Sequence, residues 1–183
     1  SIAFATILTS ASVLNGFRGI LVDGAIGVYG HLIVFPSSEE ETSIKDAGET
    51  LSKIKKLDGV EAASLRSHAF SMLKYEDKTV LPYRLYGIVP EQDSLVTDFE
   101  NGIIEGKYLN SKNKKEIVLG LTDADILSEY EYDKKYPKIG DKLTINSFST
   151  GKQEEYTIAG ITDSKAIMGN IQVFVNKEDL DNF

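Results

Sequence analysis

Cysteine is absent from the 183 residues of the chain, and histidine occurs only twice. Without thiols the chain cannot build a disulfide framework, a Cys-ligated zinc site, a CxxC redox centre or a thiol nucleophile. His31 and His68 are then the only imidazoles that could bind a metal or act as a general base, and each lies in or beside an apolar stretch typical of a strand. We therefore expect two structural histidines and no transition-metal site.

Basic residues are scarce relative to acidic ones. The 20 Lys and Arg residues stand against 28 Asp and Glu residues, which gives a formal net charge of −8. The phosphates of a nucleic acid repel a surface of that sign, so we expect no nucleic-acid partner. Hydrophobic residues make up 42% of the chain, a composition typical of a folded protein, and the length accommodates one domain with a subdomain.

Motifs for catalysis and for cofactor binding are missing as well. No GxSxG sequence marks a serine nucleophile. Gly24, Gly27 and Gly30 precede a predicted strand, whereas the GxGxxG and GxxxxGK[ST] phosphate loops precede a helix. Asp123 and Asp125 are spaced like the first ligands of a calcium loop, but the later Gly and Glu of that loop are missing. We expect no enzyme activity, no cofactor and no metal.

The first 17 residues carry no charge; Arg18 is the first charged residue. This run is shorter than the roughly 20 residues that span a membrane. We interpret residues 1–17 as the outer end of a first transmembrane helix that begins upstream, with Asn15 and Gly16 as the helix exit, because Gly readily ends a helix. The alternative is a core helix of a soluble protein.

The following residues predict a β-α-β unit. His31–Phe35 is a short apolar run that predicts a buried strand and ends at Pro36. A helix should then start at Ser37 and Ser38, which precede Glu40 and Glu41 in a capping-box pattern, and should stop at Asp58-Gly59. Val60–Arg66 predicts the second strand of the unit.

The remaining pattern alternates strands and turns. Two hairpins are predicted, one from Ser71–Tyr75 and Val80–Val89, the other from Lys142–Phe148 and Glu154–Ile161. The other predicted elements are a polar stretch with one helical turn at Glu91–Glu100, a strand at Lys115–Gly120, a helix at Leu121–Tyr132 capped by Thr122, a strand at Ile171–Val175 and a helix start at Asn176. The whole pattern indicates an α+β fold.

Several short segments occur in an order that resembles one known family. Residues 12–17 read SVLNGF, and the segments GKYL, VLG, GD and AGI follow at 106–109, 118–120, 140–141 and 159–161. In this order they resemble the extracytoplasmic core domain of bacterial ABC transporter permeases of the MacB and lipoprotein-releasing (Lol) type. The residues that carry the resemblance are Asn15, Gly16, Phe17, His31, Gly106, Gly120, Gly140, Asp141 and Gly160. Their roles suit a scaffold, with glycines at turns and strand ends and Asp141 bonded to its own turn.

The resemblance implies a domain plan. A porter-like βαβ subdomain would be built from residues 18–90 and 165–183, and a smaller β-rich subdomain, residues 91–164, would be inserted into it. The family domain would continue beyond Phe183 through another helix and strand, leaving an open sheet edge. A permease of this type has four membrane helices and works as a pair in the bacterial inner membrane, with this domain on the periplasmic side.

The resemblance also implies a function in transport. The chain has no Walker motif, so ATP hydrolysis belongs to a separate ATPase on the cytoplasmic side. The expected role is to couple that hydrolysis to release or export of a lipoprotein or amphiphilic substrate. A drug or peptide efflux permease and a stand-alone ligand-binding module are the alternatives. A periplasmic partner protein remains possible within this family, although the four prolines are not clustered as in its chaperone-gripping loops.

Overall fold

The computed structural model of the protein describes residues 2–38, 41–127, 136–164 and 167–183. Two sequence predictions fall partly outside these ranges. The first is the capping box, which includes Glu40. The second is the helix at Leu121–Tyr132, of which residues 128–132 lie outside the described ranges.

The chain begins with one long helix, α1 (Ile2–Tyr29). The predicted helix exit at Asn15 and Gly16 is wrong, because α1 continues through both residues without a break. The helix ends at Gly30 instead, where φ is +74° and the backbone N–H donates to the carbonyl of Ile26 at 2.7 Å. This left-handed C-terminal cap suits glycine because it has no Cβ.

Nearly all of α1 stands clear of the rest of the chain. Its side chains are exposed from Ala3 to Asp23, and only the last turns contact the globular part. Within the described ranges, α1 is the one helix long and apolar enough to cross a membrane, as judged by length and composition. The expectation that the apolar segment is too short to span alone is therefore corrected, since the helix extends well past Phe17.

The segment after α1 does not form the predicted β-α-β unit. His31–Phe35 lies outside helices and strands and is exposed rather than buried. The second helix, α2 (Ala47–Ile54), starts well after Ser37 because Asp46, just before it, has a left-handed backbone with φ of 50°. The predicted strand at Val60–Arg66 is also wrong, since the first strand begins only at its last residue.

Both predicted hairpins are present. The first pairs β1 (Arg66–Tyr75) with β2 (Lys78–Ile88) in antiparallel register. The other elements are α3 (Pro90–Asp93), a 3₁₀ turn (Glu100–Gly102), β3 (Ile103–Gly106), β4 (Glu116–Gly120), α4 (Leu121–Leu127), β5 (Lys142–Ser147), β6 (Gln153–Thr162), α5 (Ile167–Asn170), β7 (Gln172–Asn176) and α6 (Lys177–Asp181). The second hairpin is β5 with β6.

The helix after β4 differs from its prediction in one detail. Thr122 is not the residue that caps α4, because α4 starts at Leu121 directly after the strand ends at Gly120. With no loop between strand and helix, Thr122 falls inside the first helical turn. The helix start predicted at Asn176 is confirmed, since Asn176 precedes α6 with extended backbone.

The described strands form one seven-stranded sheet in the order β3-β6-β4-β7-β2-β1-β5. Because β5 also pairs with β6, six of these strands close into a barrel, and β3 lies outside it on β6. The expected open edge at the last strand is not observed, since β7 pairs with β2 on one side and β4 on the other.

The barrel strands come from both of the predicted subdomains. The strands β1, β2 and β7 belong to the predicted porter-like part, and β4, β5 and β6 to the predicted insertion. Pairing between β7 and β4 and between β1 and β5 joins the two sets in a continuous sheet. The described strands therefore show an α+β fold with one shared barrel, and the division into subdomains stays a prediction.

Two clusters of buried side chains lie on the two faces of the sheet. The larger fills the barrel and contains Leu73, Tyr75, Leu85, Ile117, Leu119, Leu143, Ile145, Tyr156, Ile158, Ile161, Val173 and Val175, together with residues of α4 and α6. The smaller lies outside the barrel and contains Val28, Ile88, Phe99, Leu109, Val118 and Phe174. Because Val28 belongs to α1, the outer cluster attaches the long helix to the barrel.

We predict that deleting residues 1–17 leaves the stability of the barrel unchanged to within about 0.5 kcal/mol, because the side chains from Ala3 to Phe17 are all exposed. The free energy of unfolding from urea denaturation measures this. As a positive control, Leu73→Ala should cost about 2–5 kcal/mol, since Leu73 is fully buried. Loss of cooperative unfolding in the deletion variant would show instead that the segment is part of the core.

Candidate functional site

The end of α1 docks on the outer face of the barrel, and this junction is the candidate functional site. Val28 in the last turn of the helix is 1% exposed. It packs in the outer cluster with Phe99 and with Phe174 of β7, whose rings lie 4.3 Å apart. Contacts of this kind, dense and apolar, fix the helix against the sheet.

Arg66, the first residue of β1, joins the helix to the barrel. Its Nε and Nη2 donate to the two carboxylate oxygens of Asp93, at 2.7 and 3.1 Å. Its Nη1 donates to the backbone carbonyl of Val28 at 3.1 Å, so the positive charge lies at the negative end of the α1 dipole. The guanidinium carbon also lies 5.8 Å from the ring centres of Tyr86 and Phe99.

Asp93, the last residue of α3, is fully buried beneath this contact. Besides Arg66, its Oδ2 accepts hydrogen bonds from the hydroxyl of Thr97 at 2.9 Å and from the phenol of Tyr108 at 3.2 Å. Burial raises the pKa of Tyr108, and the neighbouring carboxylate of Asp93 raises it further. The phenol therefore stays protonated and keeps its role as a donor.

Two more hydrogen bonds hold the last turns of α1. The backbone N–H of Asp98 donates to the carbonyl of Gly27 at 2.8 Å. The side-chain amide of Gln172 in β7 donates to the hydroxyl of Tyr29 at 3.3 Å. The helix end is thus bonded to β1 through Arg66, to the loop after α3 and to β7. An arrangement of this kind can pass a displacement of the helix to the whole barrel.

The N-terminal motif residues lie away from this junction. Asn15, Gly16 and Phe17 are exposed in the middle of α1, and a Cβ on Gly16 would meet no described atom within 4 Å beyond its chain neighbours and the adjoining backbone of α1. His31 is exposed directly after the helix. His68 is exposed as well, with its ring edge towards Phe70 at 6.4 Å, so neither histidine is buried in a strand as its apolar neighbours suggest.

The other motif residues lie in the sheet and its turns. Gly106 and Gly160 are directly paired between β3 and β6, and a Cβ on Gly106 would lie 2.2 Å from the carbonyl oxygen of Ala159. Gly120 ends β4 and Gly140 precedes β5. Asp141 accepts hydrogen bonds from the backbone of its own turn at 3.0 Å and from a barrel tyrosine at 2.5 Å. The scaffold role of these residues stays a prediction.

Sequence reasoning missed the residues of the junction. Arg66 and Asp93 are 27 positions apart, and no local pattern joins them. One signal was available, because only three of the 20 basic residues are arginines. Arginine, unlike lysine, forms forked pairs with carboxylates, so an arginine at the start of a strand merits a search for a buried acid.

We predict that Asp93→Ala destabilises the protein by about 3–5 kcal/mol, because it leaves the charge of Arg66 without its buried partner. The double variant with Arg66→Ala should cost less than the sum of the two single changes, and a urea denaturation cycle measures the difference.

The matched control is the exposed pair Lys53–Glu49, which has the same N–O distance of 2.7 Å as Arg66–Asp93. Lys53→Ala should cost at most about 1 kcal/mol. The buried pair would not hold the junction if the losses of unfolding free energy in Arg66→Ala and Asp93→Ala were strictly additive and no larger than the loss in Lys53→Ala.

Comparison with known proteins identifies this architecture. No family model matches the chain, and no curated protein matches its sequence. Among solved structures, the periplasmic region of MacB from Actinobacillus actinomycetemcomitans superposes with a TM-score of 0.55 at 12% identity, covering 80% of this chain. The extracellular domain of the noncanonic ABC-type transporter YknZ from Gram-positive bacteria superposes over 79% of the chain with a TM-score of 0.51 at 15% identity.

These likenesses concern the fold, since both identities are low. The chain spans 61% of the MacB region and 71% of the YknZ domain. The resemblance that the sequence motifs indicated is confirmed at this level: the chain has the fold of a MacB-type extracytoplasmic domain.

Proposed function

We propose that this chain is the extracytoplasmic domain of an ABC transporter permease and that it relays movement of a membrane helix to a substrate outside the membrane. The observation that carries the proposal is the continuity of α1. One helix runs from an exposed apolar surface that suits a membrane to a last turn clamped by Arg66 and Asp93. The fold shared with the MacB region and with YknZ supports the same role.

The barrel itself is suited to act as a rigid body. Its interior is filled by large side chains that are fully buried, Tyr156, Leu73 and Leu85 among them. A closed and filled barrel deforms little, because side chains at native packing density have no room to rearrange. A push on the helix end therefore moves the barrel as a unit.

The energy for that movement comes from other subunits in this proposal. The chain has no phosphate-binding loop, so an ATPase on the cytoplasmic side and a second permease copy would complete the transporter. The natural location is the bacterial inner membrane, with the barrel on the periplasmic side. The chain performs no catalysis in this scheme.

The substrate class that we propose is a lipoprotein or another amphiphilic molecule. Such a molecule is anchored in the outer leaflet, where a barrel attached to a membrane helix can reach it. Efflux of a drug or peptide is the alternative. In cells that lack the permease, retention of lipoproteins in the inner membrane supports the first, and increased drug susceptibility with normal lipoprotein sorting supports the second.

The proposed coupling predicts a specific defect for Arg66→Lys in the complete transporter. Lysine keeps the charge beside Asp93 but cannot make the fork that also reaches Val28. Substrate release should fall severalfold, while ATP hydrolysis by the partner subunit continues. Both activities are measured in membrane vesicles, and Lys53→Arg in the exposed pair with Glu49 serves as the matched control. Full substrate release by Arg66→Lys would contradict the relay.

A further inference from the structure

Large apolar side chains are exposed where α1 meets the barrel. Leu32, Ile33, Val34 and Phe35 follow the helix and are 88%, 51%, 54% and 72% exposed, and Leu95 is 72% exposed. We call these five residues the apolar collar. A run of four such residues in contact with water is unusual in a soluble protein and marks a surface that another apolar phase covers.

The collar is attached at the C-terminal end of α1. The run Leu32–Phe35 begins two residues after Gly30, which ends the helix. Leu95 lies on the loop after α3. The next residue, Val96, packs against Gly30, since a Cβ built on Gly30 would lie 2.8 Å from Val96 Cγ1. Both parts of the collar are therefore attached at the end of the helix.

The length of α1 places the collar near a membrane surface. From Ile2 to Val22 the helix carries a single charge, Arg18, and is about 31 Å long, close to the roughly 30 Å of a hydrocarbon core. The long side chain of Arg18 can extend towards the headgroups. Asp23 then marks the surface, and the remaining turns up to Tyr29 add about 9 Å, slightly more than the roughly 5–8 Å of one headgroup layer, so the collar starts at the outer edge of the headgroups.

From this geometry we propose that the apolar collar contacts the lipid bilayer on the side where the barrel lies. The inference rests on the part of the proposed function in which α1 crosses the membrane. A lipid surface fits better than a protein partner because the exposed apolar part of α1 and the run Leu32–Phe35 belong to one segment of chain, separated by the docked last turns of the helix. The collar contains no basic residue, and the acidic Asp98 is bonded to Gly27 at the same helix end, so the contact depends on apolar insertion rather than on anionic headgroups.

The absence of tryptophan allows a direct test, because a single introduced tryptophan reports on its own surroundings. The full chain is reconstituted into phosphatidylcholine vesicles with brominated acyl chains. Phe35→Trp samples the collar and Leu14→Trp samples the middle of α1. Phe148→Trp is the matched control, since Phe148 is also an exposed phenylalanine but follows β5, across the barrel from β7.

We expect blue-shifted emission and at least twofold bromine quenching for Phe35→Trp and Leu14→Trp, and neither effect for Phe148→Trp. Adding anionic lipid or salt should leave the quenching unchanged. Quenching at position 14 without quenching at position 35 would overturn the collar and leave the membrane helix intact. A blue shift at 35 without quenching would also overturn it, since protein would then cover the site. Absence of quenching at position 14 would instead reject the membrane crossing of α1.

Discussion

The position of the long helix depends on one buried carboxylate. Asp93 is closed off from water, and an unpaired charge in that place would cost several kcal/mol. Arg66 compensates it with two hydrogen bonds, and its third nitrogen reaches the carbonyl of Val28. The same guanidinium thus satisfies the buried acid and the open end of α1, so helix, α3 and β1 are held by one group.

The two faces of the sheet pack against different parts of the chain. The inner face closes on itself and fills the barrel, which gives a body that does not depend on the helix. On the outer face a smaller cluster is buried, and Val28 of α1 packs there with Phe99 and Phe174. In the proposed function, a rigid barrel attached at one side to a rigid helix moves with the helix when the helix is displaced.

Local signals explain which parts of this structure the sequence could predict. Both hairpins and the strands β4 and β7 have apolar runs bounded by turns, and their prediction is confirmed. The run His31–Phe35 has the same local pattern, but it pairs with none of the described strands. The helix exit predicted at Asn15-Gly16 is wrong because a long helix tolerates an internal glycine at a cost of about 1 kcal/mol. The Arg66–Asp93 pair is likewise non-local, so only the fold brings it together.

The most direct measurement is a distance between α1 and the barrel during turnover. These 183 residues contain no cysteine, so spin labels can be placed at Val22→Cys on the helix and Lys74→Cys on β1, both exposed, in a complete transporter whose other cysteines have been replaced. We predict that the distance distribution between them is the same with and without ATP, while the distance between Lys74 labels in the two permease copies changes. A change in the Val22–Lys74 distance as large as that between the copies would contradict the rigid relay.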